Sequence, residues 1–199
     1  DQSTGNVYLA DYNDVIRMST PGGSVTTFIT QAAGGFNNPT GVTVHVTPSG
    51  TSDLWIADRG NGHIKSAPIS TGVVTTFKTG IGNVLKMAFT STGVMYVSRY
   101  QGHEVFKYIP PSTTLIQRFG VSGVSGNADG YLADARFHDV ISIAVDANDY
   151  VYVCDRHNDA VRQISPAGYV STLPLPAATV TEPFGLAIGP SGTMYVSSI

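Results

Sequence analysis

The feature that most constrains the fold is a short motif that occurs five times along the chain. Each copy has an aromatic residue, two small or apolar residues and then a polar residue. The copies occupy residues 8–11, 55–58, 96–99, 152–155 and 195–198. The intervals from 8 to 55, 55 to 96, 96 to 152 and 152 to 195 are 47, 41, 56 and 43 residues. A period of this size is typical of β-propeller blades.

The residues around each motif predict a four-stranded unit. The motif strand is followed by a strand of alternating polarity, a turn containing Pro or Gly, a β-branched outer strand, and an inner strand that leads to the next motif. No helical periodicity extends beyond about two turns. We therefore predict an all-β fold, a β-propeller of four-stranded blades with about four to five blades represented, forming one domain over residues 1–199.

The predicted strands do not complete a ring. The chain opens with three strands of one blade, continues through three four-stranded blades and stops two strands into another, which gives 17 strands. The first blade lacks its inner strand, and the last lacks its two outer strands. We expect the 199 residues to be a piece of a longer polypeptide, or another chain to complete the ring. Unpaired strand edges favour docking or self-assembly.

Several segments resemble the consensus of the NHL-repeat β-propellers. Residues 123–137, 143–146, 151–153, 155–158 and 161–168 look like one nearly complete unit, and the residues around Trp55 look like a second. The resemblance implies a propeller that usually has six blades. Four positions depart from the family pattern: Arg99 and Ser198 stand in place of its Asp, and Lys86 and Ser142 stand in place of its inner-strand Gly.

The composition excludes some classes of partner. The chain has 11 Lys and Arg against 14 Asp and Glu, whereas nucleic-acid binding depends on cations that neutralise phosphates. No apolar stretch reaches the ~18 residues of a membrane-spanning helix. Only 13% of residues are charged, which favours an extracellular or secreted protein and leaves a cytoplasmic one open. The single Cys154 lies in an apolar run and is predicted to be buried.

The loops at one end of the predicted propeller carry most of its polar side chains. In an up-and-down meander, the loops that follow the motif strands share an end with the loops that enter the inner strands. The candidate binding residues on these loops and strands are Arg59, His63, Lys86, Arg99, Tyr100, His103, Arg156 and His157. For Arg59 and Arg156, pairing with a neighbouring blade is the alternative. The recurring Asp11, Asp58, Asn61, Asp155 and Asn158 are predicted to accept turn N–H groups.

The evidence for a metal site or a catalytic site is weak. Peptidyl-amidating lyases and gluconolactonase-like propellers, which resemble this family, bind zinc or another divalent cation. His63, His103 and His157, however, lie 8, 7 and 5 residues after their motif aromatics, so a symmetric zinc site is not favoured. Asp146, Asn148 and Asp149 fit an ordinary hairpin turn better than a calcium site. We expect no cofactor and no catalytic residues, with zinc or calcium as open alternatives.

Together these features predict a non-enzymatic binding or scaffold propeller. It would recognise a protein, peptide or glycan, or build an extracellular assembly, through one loop face and its strand edges. The alternative function is a metal-dependent hydrolase or lyase with its site at the central channel. RNA binding would require a basic face, and the acidic net charge of −3 disfavours it.

Overall fold

The computed structural model describes residues 1–47, 49–175 and 180–199. The chain divides into two compact units, Asp1–Lys86 (unit 1) and Met87–Ile199 (unit 2). Both units consist of antiparallel meanders joined by short turns. In the described parts of the chain, no helix combines the length and the apolar character that crossing a membrane requires. The single domain expected over residues 1–199 stays a prediction.

Unit 1 contains two sheets. The first is three-stranded, in the order β1-β2-β3: Val7–Asp11, Val15–Ser19 and Val25–Ile29. The second is four-stranded, in the order β4-β5-β6-β7: Pro39–Val46, Ser52–Asp58, His63–Pro68 and Thr75–Lys78. The short helix α1, Gln31–Gly34, lies between the sheets in the chain and is capped by the hydroxyl of Thr30.

Unit 2 contains the other three sheets, and β8 crosses the boundary between the units. The first has the order β11-β10-β9-β8, with strands Val84–Phe89, Met95–Arg99, Glu104–Tyr108 and Gln117–Phe119 for β8 to β11. The second has the order β12-β16-β15-β14-β13, with strands Gly130–Tyr131, Val140–Val145, Val151–Asp155, Ala160–Ile164 and Tyr169–Thr172 for β12 to β16. The third pairs β17, Pro183–Ile188, with β18, Met194–Ser198. Short 3-10 helices cover Leu132–Asp134 and Arg156–Asn158.

The strand prediction is confirmed, with one addition. In the part of the chain that the structure describes, the 17 expected strands are present in the order three, four, four, four and two, and none of their sheets closes a ring. The addition is β12, a two-residue strand that the glycine-rich segment before β13 adds to the outer edge of its sheet, beside β16. The outer strand β11 is shorter than predicted and begins at Gln117 instead of Leu115.

The recurring aromatic residue has a packing role. Tyr8 meets Phe28 of its own sheet edge-on with ring centroids 5.1 Å apart, and Trp55 meets Phe77 in the same way at 5.1 Å. In unit 2, Tyr96 packs against Phe119 at 6.0 Å. The motif strand and the outer strand of three sheets are therefore joined by an aromatic pair, which stabilises beyond the burial of area alone.

Each unit has its own apolar core. In unit 1, Ile16, Leu54 and Ile56 are fully buried. In unit 2, the core combines side chains from several strands with Phe137 of the loop before β13, which is also fully buried. Cys154 is completely buried, as predicted, so its thiol is a small apolar core group.

Candidate functional site

A buried aspartate ends the motif strand β5 in unit 1. Oδ1 of Asp58 accepts the amide of Asn37 at 2.8 Å, which ties the loop entering the inner strand β4 to the end of β5. Oδ2 lies 2.8 Å from Nζ of Lys65 and accepts the side-chain amide of Asn61 at 2.8 Å. Lys65 also donates to the carbonyls of Gly34 and Gly35. Both oxygens of the Asp58 carboxylate are therefore occupied by donors of the protein itself.

The same arrangement recurs in unit 2. Oδ1 of Asp155 accepts the amide of His138 at 2.6 Å, and Oδ2 accepts Asn158 at 2.8 Å and Nη1 of Arg162 at 2.7 Å. Burial raises the pKa of Asp155, while these three hydrogen bonds oppose the shift. Nη2 of Arg162 donates to Ala128 and Asp129, so the guanidinium also holds the glycine-rich segment.

These contacts refine the predicted role of the repeated Asp and Asn. Asp11 does form the expected local turn, because its Oδ1 accepts the amide of Asn13 at 3.1 Å. Asp58 and Asp155 instead accept an amide from the loop that enters the inner strand of the same sheet. The sequence analysis missed the cations Lys65 and Arg162. Their signal was available, since each lies seven residues after its aspartate at an inward position of the next strand.

Arg99 stands where β1, β5 and β14 have this aspartate, and a second change balances it. The buried Glu104 pairs with Arg99 through Oε2 and lies 3.0 Å from Arg118 through Oε1. Nη1 of Arg99 also donates to the hydroxyl of Ser122 at 2.9 Å. The signs of the pair are reversed relative to Asp155 and Arg162, because the cation ends the motif strand β9 and the anion begins the next strand, β10. Arg99, a predicted binding residue, is thus held in an ion pair.

Two histidines flank one carboxylate in unit 2, and a third histidine ring contacts both of them. Nδ1 of His103 lies 3.1 Å from Oδ1 of Asp139, and Nδ1 of His157 lies 3.1 Å from Oδ2. The ring of His138 contacts both other rings, with centroid distances of 5.5 Å to His103 and 4.9 Å to His157. We call His103, His138, Asp139 and His157 the histidine cluster. Asp139 was missed by the sequence analysis, and its backbone is left-handed, with φ 67°.

Backbone hydrogen bonds join the loops that carry the histidine cluster. The amide of Gln101 donates to Asp139, the amide of His157 donates to the carbonyl of His138, and the amide of Glu182 donates to Oδ1 of Asp159. The loop face of unit 2 is defined by residues 99–104, 136–139, 155–160 and 180–182. The predicted meeting of loops after motif strands with loops entering inner strands is therefore present within this unit.

Arg156 joins two parts of the loop face. Its guanidinium donates to Oε2 of Glu182 through Nη2 at 2.6 Å and through Nε at 3.1 Å. The hydrogen bond to Glu182 raises the pKa of Arg156, with smaller contributions from the charges of Tyr100 and Asp139. Arg156 therefore pairs with the loop entering the next inner strand, as the alternative reading of this residue predicted, and a quarter of its side chain remains accessible.

The other candidate residues lie in unit 1. Arg59 and His63 flank the turn between β5 and β6, and both are half-buried. Lys86 lies in β8 and is also half-buried. Of the eight candidates, the structure brings Arg99, Tyr100, His103, Arg156 and His157 onto one loop face. Within residues 1–47, 49–175 and 180–199, no group of three or more His, Cys, Asp and Glu side chains is arranged to hold a metal ion.

Comparison with solved structures establishes the fold. No family model and no curated protein sequence matches the chain. Virginiamycin B lyase from Staphylococcus aureus superposes with a TM-score of 0.71 at 12% identity, over 98% of this chain and 60% of that one. An auxiliary nutrient binding protein from Bacteroides thetaiotaomicron gives 0.60 at 14% identity, over 96% and 63%. A Nidogen/Laminin complex gives 0.72 at 16% identity, over 98% and 68%.

These neighbours have β-propeller-like folds, and the chain is accordingly an all-β propeller-type protein. At these identities the likeness concerns the fold alone. The chain spans about 60% of the length of the lyase, which agrees with a ring left incomplete by the described strands.

Proposed function

We propose that this chain is part of a non-enzymatic NHL-type propeller that binds a protein, peptide or glycan through the loop face of unit 2. The observation that carries the proposal is how the carboxylates of this face are used. Glu104 and Asp155 are completely buried in ion pairs with arginines, and Asp139 is bridged by two histidines. A general acid or base must exchange its proton with a substrate, which the complete burial of Glu104 and Asp155 beside arginines opposes.

The remaining surface of the loop face suits recognition. Arg156 and His157 present partly accessible donors, and Gln101 is exposed. Arginine and aromatic side chains are enriched at interfaces, where they supply both contact area and directed hydrogen bonds. Five non-glycine residues of this face have left-handed backbones: Gln101, His103, Asp139, Asp159 and Glu182. Such conformations cost free energy and are concentrated at functional sites.

The neighbours and the composition support the same proposal. One neighbour is described as an auxiliary nutrient binding protein and another as a Nidogen/Laminin complex, so this fold hosts binding functions. The low charged fraction of 13% suits an extracellular or secreted setting. The unpaired edges of β1 and β18 would allow completion by further strands or assembly with another chain.

A binding screen with matched variants tests the proposal. The purified chain is applied to a glycan array and to a displayed peptide library, beside the double variant Arg156→Ala, His157→Ala. Thr113→Ala serves as the control, because Thr113 is exposed and lies outside the loop face. We expect at least one ligand class whose affinity falls about tenfold or more in the double variant and is unchanged in the control. Ligands that bind both variants equally, or the absence of ligands, would overturn the proposal.

The enzymatic alternative is tested separately by the metal content of the purified protein. Near-stoichiometric zinc or calcium, together with chemical conversion of a bound ligand, would favour a metal-dependent hydrolase or lyase. A ligand recovered unchanged from protein that holds no metal supports the binding function.

A further inference from the structure

The histidine cluster places two imidazole rings against one carboxylate and a third imidazole ring against those two. Imidazole side chains change charge between about pH 5 and 8, which no other unperturbed side chain does. Asp139 is only 6% exposed and contacts two of the rings through separate oxygens. Full protonation would therefore bring three positive charges against a single buried negative charge.

At His103, the proton decides which hydrogen bond forms. Nδ1 lies 3.0 Å from the amide nitrogen of Asp139 and 3.1 Å from Oδ1 of the same residue. A neutral Nδ1 accepts from the amide, whereas a protonated Nδ1 donates to the carboxylate, and one nitrogen cannot do both. His157 reaches the other carboxylate oxygen. When both rings are protonated, the Asp139 carboxylate accepts a hydrogen bond from each Nδ1–H group, and the two cations neutralise its negative charge.

The net charge of the histidine cluster depends on the charged side chains around it. Two groups bordering it form their own ion pairs: Arg99, Glu104 and Arg118, and Asp129, Asp155 and Arg162. Outside these groups, the described part of the loop face carries the carboxylates of Asp139, Asp159 and Glu182 and the guanidinium of Arg156, which pairs with Glu182 and has the phenol of Tyr100 nearby. The site is therefore negative while the rings are neutral and becomes positive when all three are protonated.

We propose that protonation converts the histidine cluster into a binding site for an oxyanion, a carboxylate or sulfate group. Charge-assisted N–H donors are the groups that bind such oxyanions most strongly. With all three rings protonated, the rings and the guanidinium of Arg156 carry four positive charges against the three negative charges of Asp139, Asp159 and Glu182, so the site has a net positive charge. The inference rests on the proposed function, because it names the chemical class of ligand of that loop face and makes its binding dependent on pH.

Histidine-ring NMR on the purified chain tests this inference. Protein with nitrogen-15-labelled histidine is titrated with sodium sulfate and, separately, with sodium acetate, at constant ionic strength set with chloride. The variants are His138→Gln and His157→Gln. The control is His45→Gln, which removes a histidine of β4 in unit 1. Circular dichroism of each variant verifies folding before the titration.

We expect sulfate or acetate to bind about tenfold more tightly at about pH 5.5 than at about pH 7.5, within the usual range of coupling between sites. By linkage, either anion would move the titration midpoints of the cluster rings to higher pH. Both effects should be lost in His138→Gln and His157→Gln and kept in the control. The response to sulfate relative to acetate identifies which oxyanion the site prefers.

Equal affinity at the two pH values, or binding that the variants retain, would overturn the inference. A glycan or peptide that binds independently of pH and of His138 would overturn it while leaving the proposed function in place. Conversely, pH-dependent sulfate binding by a protein that retains no glycan or peptide would support the oxyanion site and contradict the proposed function.

Discussion

The guanidinium of Arg162 donates to the carboxylate of Asp155 across 2.7 Å, and both side chains are almost completely buried. The pair joins β15 to the end of β14, and its other hydrogen bonds reach the glycine-rich segment and the loop that carries His138. A structural ion pair therefore lies beneath the candidate binding surface.

Replacing Arg162 by Met should destabilise the protein by about 3–5 kcal/mol, because it leaves the buried carboxylate of Asp155 without its cation. Urea unfolding followed by tyrosine fluorescence measures the loss. Arg17→Met is the control, since the pair of Arg17 with Asp11 is open to solvent and should contribute much less. Equal losses in the two variants would contradict the structural role of the buried pair.

Lys65→Met should loosen unit 1 in the same manner. The ammonium of Lys65 holds the carbonyls of Gly34 and Gly35 as well as Asp58, so its removal frees the chain between α1 and β4. Hydrogen exchange measured by mass spectrometry should show faster exchange over residues 34–41. Lys78→Met, on the outer strand β7, should leave the exchange of this segment unchanged.

Asp129 should contribute to stability in a pH-dependent way. Burial alone would raise its pKa, but hydrogen bonds from Thr172 and Arg162 outweigh that effect and lower the pKa below its ordinary value. Because the pKa is lower in the folded state, the contribution is complete above the ordinary value of about 3.9 and is lost as the pH falls below it. Urea midpoints measured between about pH 5 and 2 should fall less steeply for Asp129→Asn. If the urea midpoints of Asp129→Asn and of the unchanged protein fall equally with pH, Asp129 does not contribute to stability in this way.

Two glycines of the same segment give a matched test of backbone constraint. Gly120 has φ +89°, and a Cβ there would lie 2.5 Å from the carbonyl oxygen of His103. Gly123 has φ +71° with nothing within 4 Å of a Cβ. Gly123→Ala should cost about 1–2 kcal/mol for its left-handed backbone. Gly120→Ala should cost more and shift the ring resonances of His103. The reverse order of stability would contradict the packing of Gly120.

The sequence predicted the fold well because its signal is local and repeated. The aromatic motif predicted β1, β5, β9, β14 and β18. The strand β12 was missed because Gly130 and Tyr131 are too few residues to show a period, and only their pairing with β16 defines the strand. The buried positions of Lys65 and Arg162 were missed because a polar residue in an alternating strand is ordinarily assigned to solvent.

The candidate site could be predicted only in part. The spacing placed Tyr100, His103 and Arg156 in loops at strand ends, as observed. The unequal offsets of His103 and His157 did not predict that both contact Asp139. The loops differ in length, and residues with left-handed backbones, such as Gln101, accommodate the difference. The contact between His103 and Asp139 spans 36 residues, so no local sequence pattern indicates it. Whether the eight candidate residues bind a ligand stays a prediction.

The glycine-rich segment has a consequence for how unit 2 unfolds. After β11 the chain bonds back to Gly102, passes along the outer edge of the following sheet as β12, and then enters that sheet at its inner strand β13. In an ordinary repeat array, neighbouring repeats meet only along their shared boundary and can open one at a time. Here the glycine-rich segment is hydrogen-bonded to both sheets. Separating the two sheets would therefore break its hydrogen bonds to at least one of them. These two sheets should therefore melt in a single cooperative transition.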